Sequence, residues 1–260
     1  MNKTVAVDIC GLTKSYGDFT AVNHIDLKVY RGEFFGLIGP NGAGKSTTIK
    51  MLTGLLKPDS GTATVAGFNV EQNPVLVKGN VGLLPEDLNL YERLTGSEFI
   101  GFAGRMYGLE EKVVRQRRQE LLTLLELEDD SNRLILEYSF GMKKKVALAA
   151  ALIHEPAVLF LDEPFNGIDV ATMKAVRKVL SQLTGRGMTI FFSSHVMEVV
   201  AKLCDRIAII HNGEIAVTGT VDDVVANAGI STLDKEIELE DVFLHYTGFD
   251  HEARSLNWIS

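Results

Sequence analysis

The segment Gly39-Pro40-Asn41-Gly42-Ala43-Gly44-Lys45-Ser46 fits the pattern G-x-x-x-x-G-K-[ST] at every fixed position. Glycines let the backbone turn so that successive N–H groups point inward at phosphate oxygens, and a following helix adds the positive end of its dipole. In such a loop Lys45 reaches the β- and γ-phosphates and the Ser46 hydroxyl ligates Mg²⁺, with Thr47 next in the helix. The chemistry indicated is the binding of a nucleoside triphosphate. Hydrolysis needs a further acid at the end of another strand, to hold the metal and orient water. Leu159-Phe160-Leu161-Asp162-Glu163 supplies it: Asp162 closes an apolar run and suits the Mg²⁺ shell, and Glu163 beside it can polarise the attacking water.

These side chains need a framework, and the hydrophobic pattern outlines one. Phe34-Phe35-Gly36-Leu37-Ile38 is a continuous apolar run ending at the glycine loop, and Thr47-Thr48-Ile49-Lys50-Met51-Leu52 after it has helical character. Residues 4–9 and 21–29 alternate in the manner of half-buried antiparallel strands. Residues 81–84 read as another buried strand. From 94 to 153 the chain becomes helical, with Val114, Leu121, Leu122, Leu124, Leu125 and Leu127 marking an apolar stripe. Residues 157–161 and 188–192 return as buried strands around a helix whose Val170, Met173, Val176, Val179 and Leu183 recur at helical spacing. Strands separated by helices imply crossovers and a parallel sheet. Residues 207–210 and 215–217 flank His211-Asn212-Gly213-Glu214, a tight-turn signal. The expected division is a core in two parts, 1–86 and 155–222, a helical subdomain over 87–154 and a C-terminal tail over 223–260.

Composition narrows the field of functions. In 260 residues, 46% hydrophobic and 23% charged is the balance of an ordinary globular protein. Lys+Arg 26 against Asp+Glu 34 leaves a net charge of −8, which argues against a protein that coats duplex nucleic acid. No stretch approaches the roughly 18 apolar residues of a membrane helix. The N-terminus reads as a strand rather than a secretory signal, because Asp8 falls where an apolar region would have to continue. Cys10 and Cys204 are read as small buried hydrophobes in a reducing compartment. The basic clusters Lys143-Lys144-Lys145 and residues 115–118 are read as solvated helix faces or partner contacts.

Further landmarks follow in chain order: Lys14-Ser15-Tyr16-Gly17, Leu84-Pro85-Glu86, Tyr138-Ser139-Phe140-Gly141-Met142, Asn166-Gly167-Ile168-Asp169 and Ser193-Ser194-His195. With the glycine loop and the paired acids, the chain resembles the ATP-binding subunits of ABC transporters over almost its whole length. The resemblance implies an α/β P-loop NTPase: a RecA-like parallel sheet core, an antiparallel β subdomain and an inserted α-helical subdomain. It implies that Tyr16 stacks on adenine, that Gly39 to Thr47 hold ATP, and that Ser46, Asp162 and Glu86 hold Mg²⁺. Lys45, Glu86, Glu163 and His195 are then the catalytic set, His195 contacting the γ-phosphate. Ser139 and Gly141 of the signature segment and Asp169 of the D-loop serve the nucleotide of a second subunit, in a homodimer or heterodimer arranged head to tail.

The partners implied are separate transmembrane permease subunits, docked in a groove near Glu86, with the chain cytoplasmic and peripheral on the inner face of the cell membrane. Direct contact with nucleic acid is not expected. Residues 239–248, with Leu84-Pro85-Glu86 and Tyr138 to Met142, resemble bacterial exporter ATPases of the multidrug, antibiotic and sodium type. Two departures stand out: Phe140 replaces the first signature glycine, so its φ must suit a side chain, and Glu86 replaces the usual glutamine. The alternative is a soluble ABC ATPase acting on nucleic acid, ribosomes or assembly partners. Against it stand one nucleotide site rather than two in tandem, no long heptad coiled coil and the acidic balance.

Overall fold

Which face a strand buries decides where it sits in this protein, a computed structural model that describes residues 4–228 and 239–248. β1 (Val5–Tyr16) and β2 (Phe19–Tyr30) pair antiparallel, Val7 opposite Val29 and Ile9 opposite Leu27, and bury these four side chains. β3 (Phe34–Ile38) is buried along its full length and runs through the glycine loop into α1 (Lys45–Leu52). β4 (Ser60–Val65) and β5 (Phe68–Asn69) return to the first sheet, whose order is β2-β1-β4-β5. α2 (Pro74–Asn80) then leads to β6 (Val81–Leu84).

Three helices follow: α3 (Gly96–Met106), α4 (Glu111–Leu124) and α5 (Phe140–Leu152). β7 (Val158–Asp162), α6 (Val170–Gly185), β8 (Thr189–Ser194), α7 (Met197–Leu203), β9 (Arg206–His211) and β10 (Glu214–Thr220) complete the second sheet and its crossovers. Its order is β10-β9-β3-β8-β7-β6, parallel except for β10. α8 (Val221–Asn227) and α9 (Leu239–Thr247) lie against β9.

The continuous apolar runs are explained by a sheet buried on both faces. From β3, Phe35 and Leu37 join Phe160, Phe191 and the inner face of the first sheet; Phe34 and Ile38 point the other way, to Leu161, Phe192 and the helices. Each such side chain contributes about 1.5–3 kcal/mol by its burial. The β9–β10 turn has positive φ at both Asn212 (49°) and Gly213 (80°), as a two-residue hairpin turn of the expected kind requires.

Helix does not run through 94–153 as expected. α4 stops where Glu126 turns left-handed (φ 56°), with the Glu126 N–H donating to Thr123 and the Leu127 N–H to Leu122. This is a Schellman closure built without glycine. Residues 125–139 then fold as turns and one short 3₁₀ helix (Ile135–Glu137), tied by the Tyr138 hydroxyl donating to the Asp130 carbonyl at 2.7 Å. The cysteine expectation holds for Cys204, which is buried and whose thiol is pushed well up in pKa by desolvation. It fails for Cys10, which sits on the outward face of β1 opposite Thr62 and is exposed. The expected strand at the N-terminus begins at Val5; residues 1–3 lie outside the described residues. Among the described residues no helix is long and apolar enough to cross a membrane.

Candidate functional site

Gly44 caps the N-terminus of α1 with φ 107°, a region closed to side chains, and it lies against β2. A Cβ there would fall 2.3 Å from the Ala21 carbonyl oxygen, so the first sheet sets how tightly the loop closes. Gly44→Ala is therefore expected to cost at least about 1–2 kcal/mol in backbone strain alone. At roughly 2–4 °C per kcal/mol for a domain of this size, thermal unfolding should show a fall of several degrees. Lys45, 5% exposed, folds its side chain back over the loop and donates to the carbonyls of Gly39 at 2.8 Å and Pro40 at 3.1 Å. A cavity of about 420 Å³ runs from the rings of Tyr16 and Phe19 over residues of the loop to Glu86 and Glu163. Its size is that of a small-molecule site, and the half-exposed Tyr16 ring offers a flat apolar face at one end.

β7 and β8 run parallel with Asp162 beside Ser193, and this register assembles the acids. The Ser193 hydroxyl donates to Asp162 Oδ1 at 2.6 Å and accepts from the Glu163 N–H at 3.0 Å. Glu163 has φ 46°, a conformation that costs a non-glycine residue of order 1–3 kcal/mol and persists only when its surroundings hold it. They do so at three points. Its N–H is taken by Ser193, its carbonyl accepts from Lys144 at 2.9 Å, and its carboxylate lies between Lys45 and His195. Oε1 faces Lys45 Nζ at 3.3 Å and accepts no hydrogen bond, while Oε2 lies 3.0 Å from His195 Nδ1, which donates to it. The carboxylate is buried, so the field of these neighbours is little screened. Ser46 and Glu86 line the cavity, and Asp162 adjoins Glu163 in the chain. Hydroxyl and carboxylate oxygens are the hard donors that suit Mg²⁺, but of the three expected metal ligands only Ser46 and Glu86 line the cavity, and Asp162 Oδ1 accepts from Ser193.

Ser139, Gly141 and Asp169 are brought together elsewhere. The Ser139 hydroxyl caps α5, accepting from the Met142 N–H at 3.2 Å, so the helix begins at Phe140. Phe140 occupies the first helical position without positive φ and needs no glycine. Asp169 caps α6, accepting from the Thr172 N–H at 2.9 Å and hydroxyl at 2.7 Å, and these bonds hold its carboxyl below the usual carboxylate range. Gly141 abuts both: a Cβ on it would lie 2.8 Å from Thr172 Oγ1 and 3.4 Å from Asp169 Oδ2. None of Ser139, Gly141 and Asp169 lines the phosphate cavity.

The basic run on α5 overturns its expectation. Lys143 pairs with Glu92, and Lys145 is largely covered. Lys144 is 2% exposed and donates to the carbonyls of Glu163, Pro164 and Asn166; burial pushes its pKa down to about 8, against the opposing charges of Glu86 and Glu163. Arg117, too, is partly buried, donating to the Ile153 carbonyl at 2.9 Å.

Residues 22–166 match the family profile described as ABC transporter. The chain belongs to the ABC transporter family. It is 40% identical over 222 residues, 85% of this chain and 71% of the relative, to the linearmycin resistance ATP-binding protein LnrL of Bacillus subtilis. It is 38% identical over 205 residues, 78% of this chain and 83% of the relative, to the ABC transporter ATP-binding protein NatA of the same species. A solved ATP-binding subunit of an ABC transporter superposes with a TM-score of 0.85 and 31% identity, covering 93% of this chain and 99% of that one. A dimeric ATP-binding cassette bound to ADP and Pi does so with a TM-score of 0.76 and 25% identity, covering 82% and 98%.

Membership of the ABC family implies ATP binding and hydrolysis, on a P-loop NTPase fold. In this ABC chain a second cavity of about 420 Å³ opens between the β6 edge and the helical segment, lined by Leu55, Leu83, Pro85, Leu88, Phe99 and Tyr107. Its lining includes Pro85, one residue from Glu86, near which the resemblance implied a groove for a membrane subunit. Sequence reasoning gave no role to Ser193, Asn166 or Lys144. Ser193 had a usable signal in its position two residues before His195 at a strand end; Lys144 had none, since its partners lie 19 to 22 residues downstream.

Proposed function

We propose that this chain is the ATP-hydrolysing motor subunit of an exporter, working as a head-to-tail dimer on separate membrane-spanning subunits at the inner face of the membrane. The observation that carries the hydrolytic part is the buried Glu163 carboxylate, held between Lys45 and His195 just past the end of β7, with β8 between that strand and β3, which leads into the phosphate loop. Glu163 polarises the attacking water, Lys45 offsets phosphate charge, and His195 holds Glu163 while facing the γ-phosphate position. Ser46 and Glu86, with Asp162 at the end of β7, would hold Mg²⁺, which when bound would supply further neutralisation of the phosphates. The dimer is supported by the placement of Ser139, Gly141 and Asp169 together and off the chain's own cavity. A helix N-terminus with a serine cap is an anion site, and its anion is then the triphosphate of the other subunit.

Export is supported by the names of the relatives, which include linearmycin resistance and daunorubicin/doxorubicin resistance ATP-binding proteins, and docking on a membrane subunit by the apolar groove beside Glu86. The experiment is affinity purification of tagged Glu163→Gln protein from detergent-solubilised membranes with and without Mg-ATP, identifying partners by mass. A stoichiometric protein of several membrane spans is the expected result. Recovery of only soluble proteins or RNA, from cells shown to express any neighbouring membrane protein, leaves the ATPase chemistry standing and removes the transport claim.

A further inference from the structure

An ammonium group carries three N–H donors, and Lys144 spends them on three main-chain carbonyls: Glu163 at 2.9 Å, Pro164 at 3.1 Å and Asn166 at 2.8 Å. All three belong to one short turn, which starts at the left-handed Glu163 and runs on to the Asp169 cap of α6. Lys144 itself stands in the second turn of α5, five residues after the Ser139 cap. Phe140 closes the gap between them. Lys144 Nζ lies 5.3 Å from its ring centroid, and the ring covers Gly167 so closely that a Cβ there would meet it at 3.0 Å. On the far side, Asn166 Nδ2 approaches Glu86 Oε1 at 3.4 Å. The start of α5 and the turn over residues 163–169 therefore form one block, and Lys144 is its buried centre.

We infer that Lys144 is a positioning residue for hydrolysis: its ammonium holds the Glu163 main chain in the conformation that aims the carboxylate at Lys45 and His195, and ties it to the Ser139 end of α5. This rests on the reading of Glu163 as the group that activates water. A lysine that only stitched two elements together would lower stability when removed and leave the turnover of the folded protein alone. A positioning lysine acts on kcat, through Glu163, with nucleotide affinity untouched. A displacement of the catalytic group by about 1 Å is enough to lose on the order of 10²-fold in rate.

The test compares wild type, Lys144→Met, Lys144→Arg, Glu163→Gln and the double variant Lys144→Met/Glu163→Gln. Steady-state ATPase assays separate kcat from KM, a fluorescent-nucleotide titration gives affinity, and a melt reports folding. Lys144→Met is expected to lower kcat at least about ten-fold with nucleotide affinity kept, and Lys144→Arg, which retains charge and donors, to recover most of it. The double variant is expected to be no slower than Glu163→Gln alone, because groups that act as a unit are not additive. Wild-type kcat in folded Lys144→Met, a rate loss that multiplies with that of Glu163→Gln, or a loss confined to KM each overturns the inference. Should Lys144→Met give no cooperative melt, Lys144→Gln, which keeps two donors on a shorter side chain, is held to the same criteria. If Glu163→Gln hydrolyses ATP at the wild-type rate, the underlying reading of Glu163 fails, whatever Lys144 does.

Discussion

Glu163→Gln is expected to stop turnover while ATP stays bound. The amide keeps the shape of the carboxylate and its reach to His195 but cannot polarise or accept a proton from water, a loss of about 10²–10⁴-fold for a general base. Binding should not suffer. The variant removes a buried negative charge from a cavity that takes a triphosphate, and removes the carboxylate that Lys45 faces at 3.3 Å, leaving that ammonium free for phosphate. A protein that binds but does not cleave accumulates in whatever assembly ATP stabilises, by mass action. Size-exclusion chromatography with Mg-ATP should therefore show a dimer in the variant that decays in wild type as single-turnover hydrolysis proceeds. Hydrolysis at the wild-type rate would move the water-activating role to another residue.

Lys45→Ala is expected to fail earlier, at binding. Lys45 is buried and pre-set by the Gly39 and Pro40 carbonyls, so little ordering is needed when it meets phosphate. Hydrogen bonds to charged groups are worth about 1.5–3 kcal/mol each, and about 1.4 kcal/mol is tenfold in affinity; loss of contacts to two phosphates should weaken ATP binding at least about a hundredfold. The same change strips Glu163 Oε1 of the cation it faces, and a buried carboxylate oxygen left without its cation destabilises the fold. Calorimetric titration with Mg-ATP reads the first effect and thermal unfolding the second. Wild-type affinity in this variant would remove the phosphate role of the lysine.

Both variants touch residues that the sequence reveals directly, and the reason is physical. A loop that offers main-chain N–H groups to phosphate must be rich in glycine, and the lysine and hydroxyl that serve it follow at fixed local spacing, so residues 39–47 announce themselves in one short stretch. The paired acids at the end of β7 are similarly local, and so are the Ser139 and Asp169 caps. The sheet order is less so: alternation and apolar runs indicate strands and crossovers, but not that β3 lies between β8 and β9. Lys144 shows where local reading stops. Three lysines in a row read as a solvated face, and only the return of the chain through residues 163–166 buries the middle one. Cys10 failed for the converse reason: a lone cysteine is read by its average burial, whereas strand alternation puts this one on the outer face of β1.

That cysteine has a practical consequence. The sequence holds two thiols, and the one at Cys204 is shut away behind β3 with its ionisation suppressed, so a maleimide dye should couple to Cys10 in the unaltered protein. Two subunits so labelled, one with donor and one with acceptor, would report their association and release in real time, without a substitution anywhere in the catalytic block.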